Sequence, residues 1–233
     1  IDVSNPASPT LTGTYNTSGN AYGVSLSADG NTAYVADNAS GLQIIDVSNP
    51  ASPTLTGTYN TSGNAYGVSL SADGNTAFVA DGTHGFDIIN VSDPSNPTLT
   101  STFYTSGNAF GVSLSADGNT AFVADSASGL QIIDVVDTAA NGSAAIATAP
   151  SLIGTCETSG KAYGVSLSAD GNTAFVADQT SGLQIINVSD PSNPTLTSTF
   201  YTSGNAYGVS LSADGNTAFV AYDGTGLQII DVS

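Results

Sequence analysis

Most side chains in this sequence that could bind a cation are aspartates, which recur at a few positions of a repeated unit. Four of them directly follow an apolar segment that ends in Val-Ala: Asp37, Asp81, Asp125 and Asp178. Such carboxylates could bind calcium, a hard cation that takes about six to eight oxygen ligands. The sequence contains no D-x-[DN]-x-[DN]-G calcium loop, however, and each aspartate belongs to a different repeat. We therefore expect them to cap neighbouring loops, with a calcium site as the alternative and no other cofactor.

Nucleophilic or zinc-dependent catalysis has few candidate residues. His84 is the only histidine and Cys156 is the only cysteine. A catalytic triad needs a base within hydrogen-bond reach of the nucleophile, and zinc normally takes several His or Cys ligands. We expect His84 to lie exposed in a loop. We expect Cys156 to be a buried thiol, because the other repeats have Tyr or Phe at its position.

Hydrolysis by paired carboxyl groups is the remaining catalytic chemistry. It needs two carboxyls at a fixed separation with pKa values pushed apart. Glu157 is the only glutamate, and the aspartates have structural explanations repeat by repeat. Five of them lie in Asp-Gly turns, where turn chemistry accounts for them: Asp29, Asp73, Asp117, Asp170 and Asp214. We therefore predict that the protein is not an enzyme.

The composition excludes several kinds of partner. The formal net charge is -18, and Lys161 is the only lysine or arginine. Nucleic-acid binding and attraction to anionic lipid both need basic side chains, so we expect neither. No apolar stretch approaches the roughly 18 residues of a membrane-spanning helix, so direct membrane insertion is not expected. No signal peptide is visible because the chain opens inside a repeat, and we expect a processed or excised piece.

Internal repetition defines the fold. The triplet Ile-Asp/Asn-Val begins at Ile1, Ile45, Ile89, Ile133, Ile186 and Ile230. The spacing is 44 residues except for one interval of 53, which contains an insertion near Val136 to Ala149. A period of about 44 residues matches propeller blades of roughly 40–45 residues. Each repeat reads as four strands joined by turns, as in Ala21–Ser27, Thr32–Ala36, Leu42–Val47 and Thr54–Tyr59.

We predict an all-β fold: a five-bladed β-propeller of four-stranded antiparallel blades that forms a single domain over residues 1–233. The blades span about 21–59, 65–103, 109–156, 162–200 and 206–233 plus 9–15. Pairing of the N-terminal strand Pro9–Tyr15 with Leu227–Val232 would complete blade 5 and close the ring, which removes two sheet edges. Residues 1–4 duplicate residues 230–233, so they are either displaced or part of a longer array.

The repeats resemble a known family. The segments GLQIIDVSNP (Gly41–Pro50) and GLQIINVSDPSNP (Gly182–Pro194) are similar to the LVIVD repeat of bacterial and archaeal surface propellers. The segment SADGNTAFVAD (Ser71–Asp81) is similar to the S-P-D-G-x-x-x-Y-V-A motif of other surface propellers. The resemblance implies secreted or envelope-associated proteins, and it implies no catalytic residues.

We therefore predict a non-catalytic extracellular or cell-surface propeller that serves as a binding, adhesion or scaffold module. High acidity favours solubility, and the near-absence of lysine and arginine leaves trypsin-like proteases little to cleave. The alternative is a glycan- or lactone-hydrolysing enzyme that uses a divalent cation in the central channel. The module would bind an unknown protein or glycan, and it would belong to a longer surface protein or an assembly.

One face of the predicted propeller holds most differences between repeats. The loops from strand two to strand three and the connections from strand four to the next strand one emerge on this face. Tyrosines suit an interface because one end is apolar and the other polar. We propose that a partner contacts this face, although neutral drift of exposed loops would also explain the differences. The candidate binding residues are His84, Tyr104, Glu157, Lys161, Tyr201 and Tyr222.

Overall fold

The structure is a computed structural model that describes residues 1–136, 149–224 and 226–233. Its strands form five antiparallel sheets, the blades of a five-bladed β-propeller, which confirms the predicted fold class. Most of the insertion, residues 137–148, lies outside the described residues. Within the described ranges, no helix has the length and apolar character that crossing a membrane requires.

In each blade, the strands lie in chain order from the propeller axis outward. Blade 1 contains β1 (Gly23–Leu26), β2 (Thr32–Ala36), β3 (Leu42–Asp46) and β4 (Thr54–Tyr59). Blade 2 contains β5 (Gly67–Leu70), β6 (Thr76–Ala80), β7 (Phe86–Asn90) and β8 (Thr98–Phe103). Blade 3 contains β9 (Gly111–Leu114), β10 (Thr120–Ala124), β11 (Leu130–Asp134) and β12 (Ser151–Cys156). Blade 4 contains β13 (Gly164–Leu167), β14 (Thr173–Ala177), β15 (Leu183–Asn187) and β16 (Thr195–Phe200), and blade 5 contains β17 (Ala206–Leu211), β18 (Thr217–Tyr222) and β19 (Gly226–Asp231).

The Asp-Gly turns between the first two strands of each blade are built as their sequence predicts. In blade 1, Asp29 accepts a hydrogen bond from Ser27 Oγ at 2.6 Å and from the Asn31 amide at 3.0 Å. Gly30 has a φ of 71°, a left-handed conformation that glycine adopts without steric cost. The turn fixes the register of the hairpin, so that Val24 faces Val35 across the sheet.

Blades pack face to face through alanine, larger aliphatic and aromatic side chains, which are buried at each internal interface. Between blades 1 and 2 the cluster contains Tyr34, Ala36, Leu42 and Ile44 from blade 1 and Ala65, Ala77 and Val79 from blade 2. The same pattern recurs between blades 3 and 4 with Phe122, Ala124, Leu130 and Ile132 against Ala162, Ala174 and Val176. Cys156 is buried in this second cluster, as expected.

The innermost strands approach one another closely at glycines. A Cβ placed on Gly67 would lie 2.7 Å from the carbonyl oxygen of Phe110 in blade 3 and 3.2 Å from the Cα of Gly111. Such distances leave no room for a side chain, so this approach requires glycine. The equivalent glycine of blade 5, Gly208, meets only Ala221 of its own blade, at 3.7 Å.

The predicted closing strand pair is wrong. Blade 5 has three strands in the order β17-β18-β19, and residues 11–15 form no ladder with β19. Instead Asp2 and Thr10 form an isolated antiparallel bridge, and Tyr15 packs against Ala33 and Val35 of blade 1. Neighbouring blades pack on one another through the same pair of surfaces at the internal interfaces. Leu227 and Ile229 of β19 remain exposed, so β19 does not lie against the N-terminal segment.

Candidate functional site

Buried aspartates bind the connections that enter blades 1 to 4. Asp37 is fully buried, accepting hydrogen bonds from Thr17 Oγ1 at 2.6 Å and from the Gly19 amide at 2.8 Å. Asp178 binds Thr158 and Gly160 in the same way, at 2.6 and 2.8 Å. Asp81 and Asp125 each accept a hydrogen bond from the corresponding glycine amide, that of Gly63 and that of Gly107. The four carboxylates therefore act as loop caps, the role that the sequence favoured.

Burial changes the acidity of these carboxyl groups. Desolvation raises the pKa of Asp81, Asp125 and Asp178, and the hydrogen bonds from the loop partly oppose the shift. Each carboxylate serves the connection of its own blade. Among the residues that the structure describes, no group of three His, Cys, Asp or Glu side chains could hold a metal ion. A calcium site at these aspartates stays a prediction.

Blade 5 replaces this capping aspartate with Tyr222, and the following residue takes over its role. Asp223 accepts hydrogen bonds from the Asn205 amide at 2.7 Å and from Asn205 Nδ2 at 3.0 Å. Aligning the repeats with one another places Tyr222 at the position of the aspartates and does not identify Asp223. The adjacent Tyr222-Asp223 pair was the signal that could have identified it.

The six candidate binding residues lie in loops and strand ends of four blades. Tyr104 and Tyr201 are 71% and 76% exposed at the ends of β8 and β16. The ring of His84 contacts that of Tyr104 edge to face, with centroids 5.2 Å apart. Glu157 and Lys161 are exposed in the connection from β12 to β13, while Tyr222 is half-buried at the end of β18. The structure therefore brings together His84 and Tyr104 and spreads the others along the same face.

Backbone bridges tie these loops into one surface. Gly82, in the loop that carries His84, forms an antiparallel bridge with Ala109, which enters blade 3. Ser126 forms the same bridge with Ala162, next to Lys161. Loops from strand two to strand three thus adjoin the connection into the next blade. We call this surface, formed by both sets of loops, the loop face.

An arc of aromatic rings lies at the axial end of the loop face, and the sequence analysis missed it. The residue before each innermost strand is aromatic, and five rings line a cavity of about 660 Å³: Tyr22, Tyr66, Phe110, Tyr163 and Tyr207. Ring centroids of successive blades are 5.2, 4.8, 4.4 and 5.1 Å apart. The recurrent Ala-Tyr/Phe-Gly-Val sequence was the available signal.

The aromatic arc offers apolar ring faces with hydroxyl groups at their edges. Burial raises the pKa of the Tyr163 hydroxyl, and the neighbouring Tyr207 and Tyr66 contribute to the shift. The Tyr163 hydroxyl therefore stays protonated near neutral pH and can donate a hydrogen bond. Pockets of roughly 300–1,000 Å³ lined by aromatic side chains are typical sites for small ligands.

Blade 2 contains a second feature that the sequence analysis did not single out. Asp87 occupies the position of Gln43 and Gln184 in the other blades, is 2% exposed, and accepts a hydrogen bond from Thr102 Oγ1 at 2.6 Å. Desolvation raises the pKa of Asp87, and the hydrogen bond from Thr102 and the charge of His84 oppose the shift. A buried acid therefore lies beside the one histidine, in the blade that also carries Tyr104.

Comparison with known proteins identifies the repeat. The family model described as the LVIVD repeat matches residues 1–17, 18–61, 62–105, 106–158, 159–202 and 203–233. The chain belongs to the LVIVD repeat family. This result confirms the resemblance seen in the sequence, and it covers the whole chain. No curated protein matches the sequence.

Solved structures of other proteins show the same fold. A functionally unknown protein from Desulfotomaculum acetoxidans is 19% identical, with a TM-score of 0.75 over 94% of this chain and 68% of that chain. A protein from Lactobacillus plantarum is 18% identical, with a TM-score of 0.75 over 92% and 67%. The periplasmic gluconolactonase of Pseudomonas aeruginosa is 18% identical, with a TM-score of 0.68 over 91% and 70%. At these identities the likeness shows the fold alone.

Proposed function

We propose that this LVIVD propeller is a non-catalytic binding module of the cell surface or the extracellular space. Its loop face would hold a glycan or a partner protein, as an adhesion or scaffold element. The observation that carries this proposal is the arc of five aromatic rings around a cavity of about 660 Å³ at the axial end of that face. The exposed Tyr104 and Tyr201 extend the aromatic character of the face toward its rim.

A glycan fits the chemistry of the arc. Sugar rings present C–H faces that pack on aromatic rings, and their hydroxyl groups accept hydrogen bonds from phenol groups. Three of the four contacts between successive rings are tilted or edge to face, with interplanar angles of 54°, 67° and 77°. Tilted rings of this kind leave ring edges and faces open toward the cavity. The binding would not depend on basic residues, of which this face has Lys161 and His84.

Variants at the rim test the proposal. Tyr104→Ala with Tyr201→Ala should weaken binding to a glycan array or a cell surface by about tenfold, because exposed aromatic anchors dominate such contacts. The melting temperature should stay unchanged, since both side chains are mostly exposed. Tyr66→Phe, which keeps the ring of the axial arc, should lose only the hydrogen bonds of the hydroxyl.

The matched control lies on the opposite face. Asn119→Ala alters an exposed hairpin turn, where Asn119 Nδ2 donates to Asp117 at 3.0 Å. It should leave binding unchanged. If Asn119→Ala weakened binding as much as the tyrosine variants, the loop face would not be the binding surface.

A lactone- or glycan-hydrolysing enzyme remains the alternative. The likeness to a gluconolactonase at 18% identity concerns the fold and carries no activity to this chain. Elemental analysis of the purified protein, followed by turnover assays with lactones in the presence of calcium, tests this alternative directly. Metal-dependent turnover would favour the enzyme over the binding module.

A further inference from the structure

Blades 1 and 5 each leave one face without the packing found at the internal interfaces. On blade 5, Leu227 is 57% exposed and Ile229 is 67% exposed. The equivalent Leu42 and Ile44 of blade 1 are fully buried against blade 2. The repeats are nearly identical here, so the difference comes from the missing neighbour and not from the sequence.

The free face of blade 1 shows the same deficit on the other side. Val24 is 67% exposed and Leu26 is 57% exposed, while the equivalent Val68 and Leu70 pack in the cluster between blades 1 and 2. Ring contacts of the aromatic arc run from Tyr22 to Tyr207, and the described residues show none between these two ends. Blades 1 and 5 of one molecule therefore do not cover each other.

The two free faces are complementary halves of an interface that the molecule already forms between its own blades. Each internal interface joins the second and third strands of one blade to the first and second strands of the next. Blade 5 offers the first half through β18 and β19, and blade 1 offers the second half through β1 and β2. Apolar areas of this kind associate when a partner of matching shape is present.

The N-terminal segment 10–15 already occupies the place of a fourth strand beside blade 1. Its sequence, TLTGTY, is identical to that of β4. Gly13 lies against Pro50 of blade 1, as Gly57 of β4 lies against Pro94 of blade 2. Apart from the bridge at Thr10, this segment forms no ladder with another strand, so backbone groups remain at its edge.

A buried side-chain oxygen of blade 5 also lacks the partner that it has in other blades. In blades 1 and 4, the glutamine Oε1 accepts a hydrogen bond from a threonine of the fourth strand, from Thr58 to Gln43 at 3.2 Å and from Thr199 to Gln184 at 2.8 Å. In blade 5, Gln228 Oε1 is buried and has no hydrogen-bond partner among the described residues. A buried acceptor without a partner is costly. The threonine at the matching position is Thr14.

We propose that blade 5 of one molecule is completed by residues 10–15 of a second copy, in a head-to-tail assembly. Segment 10–15 of the second copy pairs antiparallel with β19 as its fourth strand. The register follows that of β3 and β4, where Gln43 faces Thr58. Gln228 of one copy therefore faces Thr14 of the other, and Leu227 and Ile229 pack on blade 1 of the second copy.

This contact uses two different surfaces and repeats from copy to copy, so it generates chains or larger rings. Each copy has a formal charge of -18, and the mutual repulsion of the copies opposes association. Screening by salt therefore favours the assembly. Sedimentation should show association that increases with protein concentration and as sodium chloride is raised from about 0.05 to about 0.5 M.

Cross-linking tests the register directly. In a Cys156→Ser background, Thr14→Cys and Gln228→Cys are made as separate proteins and mixed with a short bis-maleimide. A dimer should form in the mixture, at a yield that increases with concentration, and neither protein alone should give a comparable dimer. Thr14→Cys mixed with Asn119→Cys is the control for random collision. A yield no higher than in that control would overturn the proposal.

A protein that carries both cysteines distinguishes the competing arrangement. If the N-terminal segment closes the ring within one molecule, this protein cross-links as a monomer at every concentration, which would overturn the proposal. Ile229→Lys gives a second test, because it places a charge on the free face without touching an internal interface. It should weaken association by about tenfold or more. Circular dichroism checks that each variant keeps its fold.

Discussion

At the residue scale, one buried polar residue of blade 2 differs from its equivalents in the other repeats. Asp87 replaces a glutamine and carries a carboxyl whose pKa is raised by desolvation. The glutamines of other blades satisfy two groups at once, as Gln184 does by donating to the Ser181 carbonyl at 2.8 Å and accepting from Thr199. Asp87 is shorter and accepts from Thr102. Blade 2 therefore has a destabilising charge that the other blades avoid.

Asp87→Gln should stabilise the protein at neutral pH by roughly 1 kcal/mol, since it removes a buried charge and restores the hydrogen bonds of the repeat. The melting temperature should rise by about 2–4 °C for a domain of this size. Because the folded pKa of Asp87 is raised, the native state of the original protein binds the proton more tightly than the unfolded state. The stability that Asp87 contributes to the folded protein is therefore lost as pH rises through its folded pKa.

The gain from Asp87→Gln should accordingly shrink as the pH falls below that pKa toward the ordinary value of 3.8. Melting curves of both proteins between pH 3 and about 8 measure this difference. The Thr102→Val variant, which removes the donor to Asp87, serves as the control and should lower stability most at neutral pH. A gain that stays constant over the whole range would show that the charge of Asp87 is not its cause.

At the element scale, the inner strands depend on close backbone approach between blades. Gly67 lies against the backbone of blade 3, whereas Gly208 meets no neighbouring blade. The two glycines occupy the same position of the repeat. Their different surroundings separate the contribution of blade packing from that of the local strand.

Gly67→Ala should destabilise the protein by about 1–3 kcal/mol, because the added methyl group forces the strands of blades 2 and 3 apart. Gly208→Ala should change the free energy of unfolding by less than about 0.5 kcal/mol. Urea unfolding at low protein concentration, where copies do not associate, measures both. Equal losses for the two variants would mean that the strand itself, and not the packing of blades, requires glycine.

At the scale of the whole molecule, charge opposes the compact state. The chain contains nineteen acidic residues, one lysine and no arginine, and its formal net charge is -18. Repulsion among carboxylates is long-range at low ionic strength, where the Debye length is about 30 Å in 0.01 M salt. The exposed turn aspartates, such as Asp29, are stabilised as carboxylates by local hydrogen bonds, which lower their pKa.

The melting temperature should therefore rise with sodium chloride, because screening reduces the repulsion. Calcium at equal ionic strength should raise it further only if the native state binds the ion, and magnesium is the matched control. Scanning fluorimetry after chelation and desalting measures both effects. A melting temperature that does not change with salt would contradict the repulsion argument, and equal effects of calcium and magnesium would argue against a selective calcium site.

The repeated sequence was sufficient to predict the strands, turns and number of blades. Local chemistry decides these features: Asp29-Gly30 makes a hairpin turn, and the alternation in Gly23–Leu26 makes a strand in every repeat. The roles of Asp37 and Asp178 as loop caps also followed from short polar residues at strand ends. These features need only contacts between adjacent strands or between residues at most 20 apart in the chain.

The candidate site and the ends of the molecule were decided by tertiary structure. The sequence shows that Tyr22 and Tyr66 recur, but only the arrangement of blades around an axis brings their rings to 5.2 Å. Whether blade 5 reaches the N-terminal segment depends on the angle between blades, which arises from packing and not from any local pattern. Gln228 has the same sequence context as Gln43, and only the folded molecule shows that its Oε1 has no hydrogen-bond partner among the described residues.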